Sequence, residues 1–285
     1  MTVVDIHPHV IAADHACYPL APVAGGLSAW ARERPVTCEQ LLAAMDAAGV
    51  DQAALVQAAT AHGYDNRYTA DSAAAHPARL TWVGTLDTLA PETPDQLTYW
   101  VRERGMAGLR VYTAGSTMAG QAPWLGDPAS FPTWERARDL GIPVCVQMRP
   151  EGVPALHALL ARFPDVRMIL DHFGRAPLAD GPPFAAAAPL FALAAYPNVY
   201  VKLTTHTYHA ATQGQSTPQA FLARLVEAFG TERIAWGSNF PASEGTLAEL
   251  VALARDWVSF LPAADQQRIL GETALALYPR LAGKS

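Results

Sequence analysis

The sequence predicts an α/β fold, a single-domain (β/α)8 or TIM barrel that spans residues 1–285. Short apolar runs alternate with longer amphipathic runs, as strands alternate with helices, and eight such pairs follow one another. Gly49, Gly105, Gly141 and Gly230 each stand between a helical run and a strand, where a left-handed helix cap is expected. A doubly wound sheet is the alternative. It normally has a glycine-rich phosphate loop after its first strand, where this chain has His-Pro-His.

The predicted strands are short and almost wholly apolar, as in a parallel sheet that is buried on both faces. They cover residues 3–6, 53–57, 80–86, 108–112, 143–147, 167–171, 198–203 and 233–237. The predicted helices cover residues 38–48, 66–75, 95–104, 131–140, 153–163, 184–195, 218–229 and 247–260. A further C-terminal helix, 263–278, has no strand after it and is expected to pack on the outside. Two long loops, 11–35 and 114–132, are expected to cover the catalytic face.

The composition restricts the possible functions. The chain is 51% hydrophobic and 16% charged, with a net charge of −6, and it has no basic run for nucleic-acid binding. No apolar run is long enough to cross a bilayer, so no membrane partner is expected. Three scattered cysteines and the lack of a signal-like start predict a cytoplasmic protein with reduced thiols. The oligomeric state stays open, a homo-oligomer included.

The candidate site begins at the N-terminus. An apolar strand leads into Asp5-Ile6-His7-Pro8-His9, and side chains two residues apart in extended chain point the same way. We therefore predict that His7 and His9 project together, as a metal pair or as a proton-transfer and substrate-binding pair. The last predicted strand ends in Ser238-Asn239, with an amide where a carboxylate would be expected.

Residues that follow the other strands should converge on the same end of the barrel. Seven of the nine histidines fall after predicted strands. We predict catalytic roles for His7, His9, His172 and Asn239. The predicted substrate-binding residues are His62, Arg110, Tyr112, Gln147, Arg175 and His206.

The cations predict a small anionic substrate. Arg110 and Arg175 could each hold a carboxylate in a bidentate pair. Two alternatives remain open: Arg110 could instead pair with Asp87, and Tyr112 could serve packing. Lys202 lies within a strand, and we expect it to pair with a buried carboxylate such as Asp171.

Several segments together resemble the amidohydrolase superfamily, in the branch that includes 2-pyrone-4,6-dicarboxylate lactonase and sugar lactonases. The matching segments span the chain. They are residues 5–9, 62–67, 108–110, 169–175 (Ile-Leu-Asp-His-Phe-Gly-Arg), 201–203, 236–241 (Trp-Gly-Ser-Asn-Phe-Pro) and 269–274.

The resemblance implies a barrel with His7, His9 and His172 in the pocket. In metal-dependent relatives the His-x-His pair binds zinc or manganese with a strand-five ligand and a strand-eight Asp. Here those positions are Gln147 and Asn239, and an amide is a poor zinc ligand. We expect no tightly held metal cofactor; if a divalent metal such as zinc binds, His7 and His9 are the expected ligands.

Three functions remain in competition. The first is a hydrolase that opens a lactone or ester of a small carboxylated compound, with a histidine in place of the missing base because an amide cannot accept the proton. The second is a decarboxylase, another lyase or an isomerase, with or without metal, because chemistry without an attacking water tolerates Asn239. The third is a catalytically inactive barrel that only binds a ligand.

Overall fold

Eight parallel strands form one sheet in the order β1 to β8, which confirms the predicted (β/α)8 barrel. The computed structural model describes residues 1–23, 25–114 and 120–282. The backbone N–H of Ile6 donates to the carbonyl of Trp236 at 3.2 Å, which joins the first strand to the last. The strands are β1 Val4–Asp5, β2 Gln52–Val56, β3 Leu80–Gly84, β4 Gly108–Tyr112, β5 Val144–Gln147, β6 Met168–Leu170, β7 Val199–Thr204 and β8 Ile234–Gly237.

The long helices that follow the strands surround the sheet and pack their apolar faces against its outer side. Seven of the predicted helices begin and end within two residues of an observed helix, because their apolar spacing and caps can be read from the sequence. The helices are α1 Ala29–Glu33, α2 Cys38–Ala48, α3 Ala59–His62, α4 Arg67–Ala75, α5 Thr93–Arg102, α6 Phe131–Asp139, α7 Val153–Arg162, α8 Ala188–Phe191, α9 Thr205–Ala211, α10 Pro218–Phe229, α11 Leu247–Val258, α12 Ala263–Gln267, α13 Thr273–Leu277 and α14 Pro279–Ala282.

The predicted helix at 184–195 is wrong as a continuous element. The segment divides into a 3-10 turn Ala185–Ala187, the short helix α8 and a second 3-10 turn Ala192–Ala195. Pro189 lies in the first turn of α8 and has no backbone N–H, so a helix cannot run through it from the preceding turn.

The C-terminal segment also differs from the prediction. A π-helical segment, Arg268–Glu272, interrupts it, and α13 and α14 lie across the amino ends of the strands instead of on the outside. Ala274, Leu277 and Tyr278 pack against inward-facing strand residues such as Cys145. Leu277, Tyr278 and Leu281 from this segment thus close the core of the barrel beside small strand residues such as Ala54 and Ala235.

The two long loops differ in how much of them the structure describes. Loop 11–35 contains helix α1, which the sequence analysis did not predict, and residue 24 lies outside the described residues. In loop 114–132, residues 115–119 lie outside them. No helix in the described ranges is long and apolar enough to cross a membrane.

Candidate active site

A cavity of about 160 Å³ opens at the carboxyl ends of the strands. Its walls come from residues that are far apart in the sequence. They are His9, Trp30, Gln57, Ala58, Ala59, Thr60, Arg110, Tyr112, Gln147, His172, Arg175, His206, Asn239 and Ala242. The barrel thus brings together most of the predicted site residues, whose chemical roles remain predictions.

Four imidazoles form a continuous group at this cavity. The ring centroids of His7 and His9 are 5.0 Å apart, and those of His7 and His172 are 4.9 Å apart. His206 lies 5.4 Å from His172 on the outer side. The spacing of His7 and His9 beyond β1 therefore predicts their proximity correctly.

His7 lies beneath the cavity wall and is fully buried. Neither ring nitrogen has a hydrogen-bond partner among the described residues, and Nδ1 is 4.0 Å from Oδ1 of Asp171. Burial, and then the positive charges of Lys202 and Arg110, hold the pKa of His7 well below its ordinary value. The ring is therefore neutral at neutral pH.

Asp171 is the centre of a buried ion cluster under the imidazoles. Its Oδ1 is 2.8 Å from Nζ of Lys202, and its Oδ2 accepts from Nε of Arg110 at 2.6 Å. Burial alone would raise the pKa of Asp171, but these two cations more than offset that effect and hold the pKa below its usual range. The predicted pairing of Lys202 with Asp171 is confirmed. Asp171 also replaces Asp87 as the partner of Arg110, so that alternative is wrong.

Tyr112 is held by two hydrogen bonds. Its hydroxyl accepts from Nη1 of Arg110 at 2.7 Å and donates to the backbone carbonyl of Gln57 at 3.0 Å. Because its only proton is used by Gln57, Tyr112 does not donate to a substrate carbonyl in this arrangement. The side chain forms part of the wall and fixes the guanidinium of Arg110.

His62 does not reach the cavity. Its Nε2 accepts from the backbone N–H of Ala12 at 3.1 Å, and its Nδ1 lies 3.1 Å from the carbonyl of Pro19. A carbonyl only accepts, so Nδ1 carries the proton and both nitrogens are occupied. The predicted substrate contact of His62 is wrong, because the ring instead holds the loop that follows β1.

Asn239 lies on the wall and is 7% exposed. Its backbone φ is +58°, in the left-handed region that asparagine tolerates better than most residues. Its Nδ2 donates to Oγ of Ser243 at 3.1 Å, so Oδ1 remains as an acceptor toward the cavity. This position offers a neutral acceptor and no base.

The part of the cavity wall formed by Arg175 is cationic. Arg175 has a buried Nε without a partner and no ion pair among the described residues. Burial and then the charge of neighbouring Arg149 lower the pKa of Arg175. Gln147 also presents a buried Oε1 that has no partner in the described ranges.

A left-handed turn aims His172 and Arg175. Residues 172–175 all have positive φ, between +46° and +59°. A residue with a Cβ adopts this geometry at a cost of about 1–2 kcal/mol. Phe173 is fully buried and packs on Phe191 and Phe221, with centroids 5.0 and 5.5 Å away. This aromatic contact holds the turn, with His172 and Arg175 on the cavity wall.

Trp30 and Thr204 contact the imidazoles, although no site role was predicted for either. Trp30 stacks on His9 with centroids 5.2 Å apart and 25° between the planes. Trp30 lies in α1, and the short helix-forming stretch after Ser28 indicates this helix within a loop rich in proline and glycine. Oγ1 of Thr204, the last residue of β7, is 2.8 Å from Nδ1 of His172.

The residues present do not fit a tightly bound metal ion. The described part of the chain has no group of three or more His, Cys, Asp or Glu side chains placed to hold one. Nδ1 of His9 and Nδ1 of His172 have hydrogen-bond partners, which leaves only Nε2 of each ring as a possible ligand atom. The nearest carboxylate, Asp171, is neutralised by Lys202 and Arg110, whose charges would repel a cation.

Comparison with known proteins shows the family. The family model described as amidohydrolase matches residues 4–280, so the chain belongs to the amidohydrolase family. It is 28% identical over 212 residues to L-fucono-1,5-lactonase of Burkholderia ambifaria, which covers 73% of this chain and 70% of the relative.

Two solved structures show the same fold. The putative 2-pyrone-4,6-dicarboxylic acid hydrolase of Pseudomonas putida has 24% identity and a TM-score of 0.79, with 98% of each chain covered. The manganese-bound dihydroxybenzoic acid decarboxylase of a Polaromonas species has 16% identity and a TM-score of 0.70, with 98% of this chain and 97% of that chain covered. At these identities the likeness shows the fold alone.

Proposed function

We propose that the protein is a lactonase that opens a lactone or a similar ester of a small carboxylated compound without a metal. The main observation behind this proposal is a small cavity lined by imidazoles and by Arg175, with no Asp or Glu and no ion pair of Arg175 among the described residues that form its wall. The similarity to a lactonase supports the reaction type.

The cavity chemistry suits attack of water on an ester carbonyl. Arg175, with no ion-pair partner in the described ranges, would hold the substrate carboxylate. An imidazole N–H would donate to the carbonyl oxygen as negative charge develops there. Oδ1 of Asn239 would accept from the attacking water and orient it. A neutral imidazole would take the proton that Asn239 cannot take.

A paired substrate screen tests the function. The purified protein is assayed with lactones that carry a carboxylate and with neutral aldonolactones of similar size, in water labelled with ¹⁸O. We expect hydrolysis of a carboxylated lactone, with one labelled oxygen in the product acid. Turnover of neutral lactones alone would overturn the anionic substrate class.

A decarboxylase is the second candidate, because Asn239 lacks a carboxylate that could activate water. Carbon dioxide release from a hydroxylated aromatic acid, with no labelled oxygen in the product, would establish this reaction. Tight ligand binding without turnover of any substrate would instead support an inactive binding barrel.

A further inference from the structure

The hydrogen bond of His9 fixes which of its nitrogens carries the proton. Nδ1 lies 2.8 Å from the backbone carbonyl oxygen of Val56, and a carbonyl oxygen can only accept. Nδ1 of neutral His9 is therefore the N–H, and Nε2 has the free lone pair.

His172 has the opposite arrangement. Its Nδ1 is 2.8 Å from the hydroxyl oxygen of Thr204, which is 1% exposed and has no other partner among the described residues. If Nδ1 carried the proton, the Thr204 hydroxyl would be a buried donor without an acceptor, at a cost of about 1–3 kcal/mol. Thr204 therefore donates, and neutral His172 carries its proton on Nε2.

We propose that His9 and His172 are held as opposite tautomers and that Thr204 is the positioning residue that makes His172 the donor. This division of roles rests on the proposed hydrolysis and deepens it. His172 donates from Nε2 to the ester carbonyl oxygen, while Nε2 of His9 accepts a proton from water.

The proposed hydrolysis consists of addition of water to the ester carbonyl and then loss of the alkoxy group. The water oxygen bonds to the carbonyl carbon, the carbonyl electron pair moves to its oxygen, and His9 takes one water proton. The electron pair then returns and the bond from that carbon to the alkoxy oxygen breaks. The alkoxide takes the proton back from His9, which leaves a carboxylic acid, an alcohol and both imidazoles unchanged.

The tautomers are measured directly by ¹⁵N NMR of histidine-labelled protein, with ring signals assigned from His9→Gln and His172→Gln variants. In the wild type we expect a protonated Nδ1 for His9 and a protonated Nε2 for His172. Thr204→Val keeps the side-chain shape without the hydroxyl and should give a mixture of tautomers at His172, while Thr204→Ser should preserve the wild-type state.

Thr207 supplies the matched control, because it is also buried and its hydroxyl has no partner among the described residues. Thr207→Val should leave the His172 signals unchanged. A protonated Nδ1 on His172 in the wild type, or unchanged tautomers in Thr204→Val, would overturn the proposal. The wild-type spectrum decides the question even if a variant fails to fold.

The spectra do not depend on turnover, so failure of the tautomer assignment is distinguishable from failure of the lactonase proposal. Where a substrate is found, Thr204→Val should lower kcat about tenfold with KM nearly unchanged, and Thr204→Ser should restore kcat. A change in KM alone would count against positioning of a donor used in the transition state.

Discussion

Asn239 donates from Nδ2 to the hydroxyl oxygen of Ser243 at 3.1 Å, which fixes the amide with its oxygen as the acceptor left for the cavity. The Asn239 backbone carbonyl also accepts from the N–H of Ser243 at 2.7 Å. This short loop holds a neutral amide on the cavity wall, at a position where a carboxylate could act as a base.

Asn239→Asp should preserve or raise hydrolysis. A carboxylate at this position could accept from Ser243 and also take a proton from water, in a cavity that already contains Arg110 and Arg175. The measurement is kcat for the best lactone, with Ser243→Ala as the variant that frees the amide without adding charge. Complete loss of activity in Asn239→Asp, with the fold retained, would contradict the proposed role.

Arg175→Gln should raise KM for a carboxylated lactone by about 10- to 100-fold, because one charge-assisted hydrogen-bonded pair is lost. Neutral lactones should change little. Arg162→Gln is the control, since Arg162 is half-exposed and faces Glu135 on the barrel exterior. Equal effects on charged and neutral substrates would show that Arg175 does not bind a carboxylate.

Lys202→Met should reduce the free energy of unfolding by about 3–5 kcal/mol, because it leaves Oδ1 of Asp171 buried without its counter-ion. Urea denaturation measures this loss. Arg138→Gln removes an exposed ion pair with Asp139 and should change stability by less than about 1 kcal/mol. If the two variants lose the same small amount, the cluster around Asp171 does not stabilise the barrel.

The free energy of unfolding should fall as the pH drops below about 6.5, the ordinary pKa of a histidine side chain. The pKa of folded His9 is about 3, lowered mainly by burial, so between these values the unfolded chain binds a proton that the folded protein does not. The contribution of neutral His9 to the free energy of unfolding is fully present above about pH 6.5. It is lost as the pH falls toward 3, by up to about 1.4 kcal/mol per pH unit. Unfolding of wild type and His9→Gln at several pH values tests this, with exposed His15→Gln as the control for loss of an imidazole. A slope that His9→Gln leaves unchanged would argue against the shift.

Dialysis against a strong chelator should leave turnover unchanged, because Asn239 and Gln147 are poor replacements for metal-binding side chains. Elemental analysis before and after dialysis, together with kcat, measures this. Activity that disappears with the metal and returns with zinc or manganese would show that the imidazoles bind an ion despite the nearby cations.

The sequence by itself determines the barrel and the convergence of its strand ends. Apolar spacing and caps specify elements such as α2 and α10 locally, and closure of a parallel sheet then brings His7, His172 and Asn239 to one end. The resemblance in residues 169–175 indicates the family for the same reason, since this segment forms the end of β6 and the turn that carries His172 and Arg175.

Only the tertiary structure decides which partner each polar group takes. From the sequence, Asp87 is a possible partner of Arg110 and Asp171 a partner of Lys202, but in the folded barrel Asp171 pairs with both cations. His62 and His9 both follow strands, but His62 is used by the loop after β1, while His9 lies on the cavity wall. Hydrogen bonds and burial depend on atoms brought together from distant segments, so no local pattern specifies them.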